Sequence, residues 1–133
     1  MSFPPYPADS DGQVEWYTHF KNTLNMYIMY IQAAYNSYKA RPLNLNQVYR
    51  DMVDLVNELD QWVATAVHLV SSSENRSTPE SIKWLREMAL VMYPRTRAMK
   101  DLYLEIERLY LAALPPMPDV DLTPAKGREG FYM

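Results

Sequence analysis

Two histidines, His19 and His68, are the only side chains of this 133-residue chain that titrate near neutral pH without help from their surroundings. His19 follows Glu15 by four residues, a helical spacing at which both could reach one metal ion. A metal site needs three or four ligands, however, and the chain has no cysteine and no Glu-x-x-His pair to supply them. His68 stands between Val67 and Leu69 with no acid nearby in sequence, as a partly buried ring or a cation at a helix end does. No metal and no cofactor are therefore expected. The serines Ser71, Ser72, Ser73, Ser77 and Ser81 sit where loops and helix caps use them, and no nucleophile elbow is present. The acids Asp51, Asp54, Glu58 and Asp60 are spaced as the solvated flank of a helix rather than as an acid/base pair. With only three glycines there is no phosphate-cradling loop either. The chain is expected not to be an enzyme.

The cations are more informative. Lys83, Arg86, Tyr93, Arg97 and Lys100 follow spacings of 3, 7, 4 and 3, which place them on one stripe of an uninterrupted helix, with Trp84 and Arg95 nearby. Cations interleaved with aromatics suit phosphate contact and base stacking, so Lys83, Arg86, Arg95, Arg97 and Lys100 are the candidate phosphate or nucleic-acid residues. Two other expectations compete: a plain solvated face, and charge pairing with Asp51, Asp54 and Glu58 on an antiparallel neighbour, within the chain or across a subunit boundary. The formal charge of −3 hides this segregation, because residues 42–75 sum to −4 and residues 76–100 to +4. Such a chain is too acidic overall to package nucleic acid.

These residues need helices to hold them. Residues 13–40 contain no proline or glycine, and apolar side chains recur at Tyr17, Phe20, Leu24, Tyr27/Ile28, Ile31, Ala34/Tyr35 and Tyr38, the period of an amphipathic helix. The run from Met26 to Ile31 is apolar on every side, which is expected of a helix that is central or covered by another subunit. Pro42 stops the helix, and Asn44 or Asn46 can cap the next. That second helix carries Leu45, Val48, Met52, Leu55, Leu59, Trp62, Ala66 and Leu69 at alternating steps of three and four. After a polar loop, Ser77-Thr78-Pro79-Glu80 restarts a helix with Ile82, Leu85, Ala89 and Met92 as its expected core positions. Met99, Tyr103, Ile106, Tyr110 and Ala113 continue in the same phase beyond Pro94. The expectation is one long helix kinked at the proline, or two helices if it breaks there. The fold expected is all-α, an antiparallel bundle of three long helices over residues 12–114.

Prolines dominate both ends. Residues 1–11 and 115–133 are expected to be extended arms, the first with Phe3 and Tyr6 and the second with Phe131 and Tyr132 as aromatic anchors. No run approaches the roughly 20 apolar residues that span a membrane, and residues 1–10 lack the basic and apolar stretches of a signal peptide. A soluble location is expected, in the cytoplasm or within a particle. Eleven tyrosines and nine methionines exceed what a body of about 100 residues can hide. Both types suit protein interfaces, and Tyr27, Met29 and Tyr30 are the expected body contact. Together these features point to a non-catalytic structural subunit, as in a virion shell, tail or filament, that binds itself or other subunits by helix packing and arm exchange. The alternative is a small helical module that binds phosphate or nucleic acid.

Overall fold

A computed structural model describes residues 3–114. Three long helical rods make up most of the described residues: α1 (Ser10–Ala40), α2 (Leu45–Ser72), and a third rod of α3 (Pro79–Glu87) and α4 (Tyr93–Ala113) joined through Met88–Met92. No strand occurs among the described residues. Asp9 caps α1, its carboxylate accepting from Gly12 N at 2.8 Å, so the helix begins at Ser10. Glycine is needed at position 12, because an added Cβ would stand 2.8 Å from both Asp9 Oδ1 and Pro7 Cβ. A single 3-10 turn, Pro42–Asn44, leads into α2 with no side-chain cap from Asn44. Thr78 caps α3 and Pro79 occupies its first turn, as expected.

Tertiary pairs set the directions. Trp62 of α2 donates its indole N–H to Phe20 O of α1 at 3.2 Å, and Tyr49 of α2 stacks on Tyr110 of α4 at 4.1 Å. Tyr17 stacks on Trp84 at 4.2 Å, and Tyr35 donates to Glu105 Oε2 at 3.0 Å, so α1 and the third rod run parallel. The middle helix α2 opposes both. The core stripe of α2 holds, with Val48, Met52, Leu59, Trp62 and Ala66 buried. Leu45, Leu55 and Leu69 lie at its margin, while Val56, Val63 and Val70 complete it at seven-residue spacing. In α1, Tyr17, Phe20, Leu24 and Ile31 are fully buried. Each such side chain contributes roughly 1.5–3 kcal/mol by leaving water.

The third rod keeps Met92, Met99 and Ile106 of its expected face buried, but departs from that face before Met92 and at the exposed Ala113. Its buried positions are Ser81, Trp84, Met88, Met92, Thr96, Met99 and Ile106, whereas Ile82 and Ala89 face solvent and Leu85 is half-buried. Three successive steps of four residues link Trp84, Met88, Met92 and Thr96, and each overshoots a 3.6-residue turn by about 40°. A π-turn at Met88–Met92, with Tyr93 N donating to Met88 O, widens the helix and cancels the overshoot. It lies directly before Pro94, whose ring disfavours the normal carbonyl position four residues back. The rod is thus continuous, with its irregularity at the π-turn.

The amino-terminal segment is extended but does not reach away from the body. Phe3 lies 4.0 Å from Trp62 and 5.2 Å from Trp16, and Tyr6 meets Trp16 edge-on at 4.9 Å. Backbone oxygens of Pro4 and Pro7 accept from Trp16 Nε1 and Gln13 Nε2 at 2.9 and 3.0 Å. Phe3 and Tyr6 therefore anchor the segment on its own bundle. Replacing Phe3 by Ala is expected to lower unfolding free energy by about 2 kcal/mol. Denaturant melts followed by circular dichroism measure this, and an unchanged midpoint would mean that the segment is undocked in solution.

Candidate interaction surfaces

The five candidate cations do not form one stripe, because neighbouring helices take them in different directions. Arg95 turns to α1, donating to Asn25 Oδ1 at 2.7 Å, and Lys100 turns to α2, 3.1 Å from Asp60 Oδ2. Lys83 folds over the ring of Trp84, 5.1 Å from its centroid. Arg86 and Arg97 stay exposed, Arg97 close to Lys100 and Asp60 where the third rod borders α2. Charge pairing with α2 does occur, but through Asp60 rather than Asp51, Asp54 or Glu58. Two residues along a helix is a turn of about 200°, which puts Asp60 and Glu58 on opposite flanks of α2.

Asp51 and Asp54 instead line an open groove between α1 and α2, together with Tyr30, Ala33, Ala34 and Leu55. The groove continues into a cleft lined by Phe3, Tyr27, Glu58, Gln61, Trp62 and Thr65. The Tyr27 hydroxyl is raised above its ordinary pKa, first by burial and then by Glu58. Tyr30, which lines the groove, is 50% exposed, and Met29 beside it is 66% exposed. Of the expected body contact, Met29 and Tyr30 are thus open to solvent, whereas Tyr27 packs against the core. Phe131 and Tyr132 lie outside the described residues, as does the whole of the expected arm 115–133.

A second exposed surface was not expected. The outer ridge of the third rod carries Leu90, Leu104 and Leu111, exposed by 70%, 53% and 56%, with Ile82 and Tyr93 in the same row. Arg86, Arg97 and Arg108 alternate with them. The steps from Ile82 through Arg86, Leu90, Tyr93 and Arg97 are 4, 4, 3 and 4, so the ridge was readable as a helical face once Ile82 was removed from the core. Sequence periodicity also passed over Gln13 and Trp16, which lie three residues apart on the face of Phe20 and bind the amino-terminal segment.

Neither histidine joins a ligand cluster: His19 meets Trp62 edge-on at 5.8 Å, and Ser72 Oγ lies 3.4 Å from His68 Nδ1. Among the described residues, no group of three His, Asp or Glu side chains could hold a metal ion, and no helix is long and apolar enough to cross a membrane. One polar cluster is buried: Tyr17 Oη, Trp84 Nε1 and Glu87 Oε1 lack hydrogen-bond partners, with Lys21 Nζ 3.9 Å from that Glu87 oxygen. Burial, and then the Glu87 carboxylate, hold the Tyr17 phenol far above its ordinary value near 10. Burial and then Glu107, to which Tyr103 donates at 2.8 Å, raise Tyr103 in the same direction.

A folded-state pKa above the unfolded one means that these tyrosines support folding fully below about pH 10 and lose that support as pH rises beyond it. Tyr17→Phe is expected to change stability by less than about 1 kcal/mol at pH 7, since it removes an unpaired buried hydroxyl, and to flatten the decline above pH 10. Urea melts between pH 8 and 12 compare the two slopes. Lys100→Ala and Asp60→Ala are each expected to cost under about 1 kcal/mol, because the pair is half-exposed and screened. A double-mutant cycle that returned several kcal/mol would overturn this.

Comparison with protein-family models, with curated proteins and with solved structures finds no match for this chain.

Proposed function

We propose that this protein is a non-catalytic structural subunit that works by docking its helical body against other protein subunits, in the manner of a shell, tail or filament component. The observation that carries the reading is the pair of exposed apolar faces, Met29 with Tyr30 on α1 and Leu90 with Leu104 and Leu111 on the third rod. They remain outside a core that the chain has already closed for itself. Exposed large apolar side chains interleaved with charge, beside a core already closed, suit an interaction surface. Helix packing is the mode the described residues support. Arm exchange through Phe3 and Tyr6 has less support, since both rings pack on their own body, and exchange through Phe131 and Tyr132 concerns residues beyond those described.

Phosphate or nucleic-acid binding is the second reading, favoured by the exposure of Arg86 and Arg97 and weakened by the diversion of Arg95 and Lys100 to α1 and α2. Light scattering coupled to size exclusion separates the two. Assembly is expected to appear as a mass above 15.6 kDa that rises with concentration, either alone or with a co-purifying protein. Retention of nucleic acid that disappears steeply with added salt would promote the second reading. A monodisperse monomer without partners at every concentration and salt would remove the first.

A further inference from the structure

Two surfaces that share no lining residue complement each other, the α1–α2 groove and the exposed ridge of the third rod. The α1–α2 groove is acidic, with Asp51, Asp54 and Glu58 and no lysine or arginine among its lining residues. Its apolar floor is Tyr30, Ala33 and Leu55. The ridge of the third rod is basic and apolar in its first half, where Arg86 and Arg97 stand on either side of Leu90 and Tyr93, whereas Arg108 in its second half is flanked by Asp101, Glu105 and Glu107. In a three-helix bundle the seam between two helices faces away from the third, so one molecule can offer both surfaces at once.

We propose that the ridge of the third rod docks into the α1–α2 groove of a second copy, so that copies join head to tail. This rests on the assembly reading and names its joint. A helix ridge entering the groove between two others is ordinary helix packing at about 8–10 Å between axes, and here it completes a four-helix arrangement across two chains. Leu90 and Tyr93 cover Tyr30 and Leu55, while Arg86 and Arg97, about 16 Å apart along the rod, reach the acids towards the two ends of the groove, Asp51 with Asp54 at one and Glu58 at the other. The opposed charges fix register and partner choice, and the apolar centre supplies the affinity. Because ridge and groove are different surfaces, the contact is heterologous: it closes into a ring if the rotation per copy allows and otherwise runs on as a filament.

Charge reversal tests the joint on the full chain. Variant one is Asp51→Lys with Asp54→Lys, and variant two is Arg86→Glu with Arg97→Glu. All four side chains are exposed, so circular dichroism is expected to show unchanged folds. By sedimentation velocity each variant alone is expected to weaken self-association at least about tenfold. Mixing them pairs a basic groove with an acidic ridge and an acidic groove with a basic ridge, so alternating assembly is expected to return. Association of the unaltered chain that neither variant disturbs, that stops at a symmetric dimer, or that mixing fails to restore would overturn this joint while leaving the assembly reading in place. A monomeric unaltered chain that binds no other protein would overturn both.

Discussion

Trp62 stands where three parts of the chain meet. Its indole N–H reaches across to the carbonyl of Phe20 in α1, and its ring face carries Phe3 from the amino-terminal segment. Trp16 donates to Pro4 O on the other side of Phe3, so the segment is pinned by aromatic faces and by backbone acceptors together. Tyr6, Ser81, Thr78 and Gln13 continue the same closure to the start of α3, with Tyr6 Oη 2.7 Å from Ser81 Oγ. An end of the bundle that would otherwise expose three large rings is thereby sealed, and the directions of α1, α2 and α3 are set relative to one another. At the far end the stack of Tyr49 with Tyr103 and Tyr110 is the counterpart, with each hydroxyl able to stay hydrated or find a carboxylate.

Between those two ends the π-turn at Met88–Met92 decides what the third rod shows to solvent. Keeping Trp84, Met88, Met92 and Thr96 inward at steps of four is only possible if the helix is locally widened. The same adjustment leaves Leu90 at the outer surface, beside Arg86 and Arg97. Proline at position 94 is compatible with this path because the preceding turn is already irregular. The outer ridge is therefore a product of core packing as much as of its own residues, and its exposure follows from a demand made on the opposite face.

The charges divide by the same logic. Lys100 with Asp60 and Lys21 with Glu87 bridge helices within the bundle, and being partly exposed they steady register more than they add stability. Outside, acids gather along the α1–α2 groove, and Arg86 and Arg97 flank Leu90 and Tyr93 on the third rod. A bundle of this size cannot bury all its apolar side chains. Its surplus lies beside those two sets of charges, which is the arrangement that makes association selective rather than indiscriminate.

Much of this was legible in the sequence, because helix formation is local. Proline and glycine placement, the capping at Thr78-Pro79 and the alternating threes and fours of α2 identify three rods and an all-α bundle without reference to any long-range contact. The excess of tyrosine and methionine also announces unfinished surface around residues 26–31. Periodicity alone could not choose between two adjacent phases in the third rod. Ile82, Leu85 and Ala89 satisfy a helix pattern as well as Ser81, Trp84 and Met88 do, and the choice falls to Tyr17, whose ring stacks on Trp84 from another helix. Nor could it tell that Phe3 and Tyr6 fold back onto Trp62 and Trp16, since those partners lie 10 to 59 residues away in the chain and only the packed bundle brings them together. Local periodicity and proline placement settle which segments are helical and that apolar side chains outnumber the places in the core. Tertiary structure alone decided which faces are left over, because the inward face of each helix is selected by the shapes of the other two.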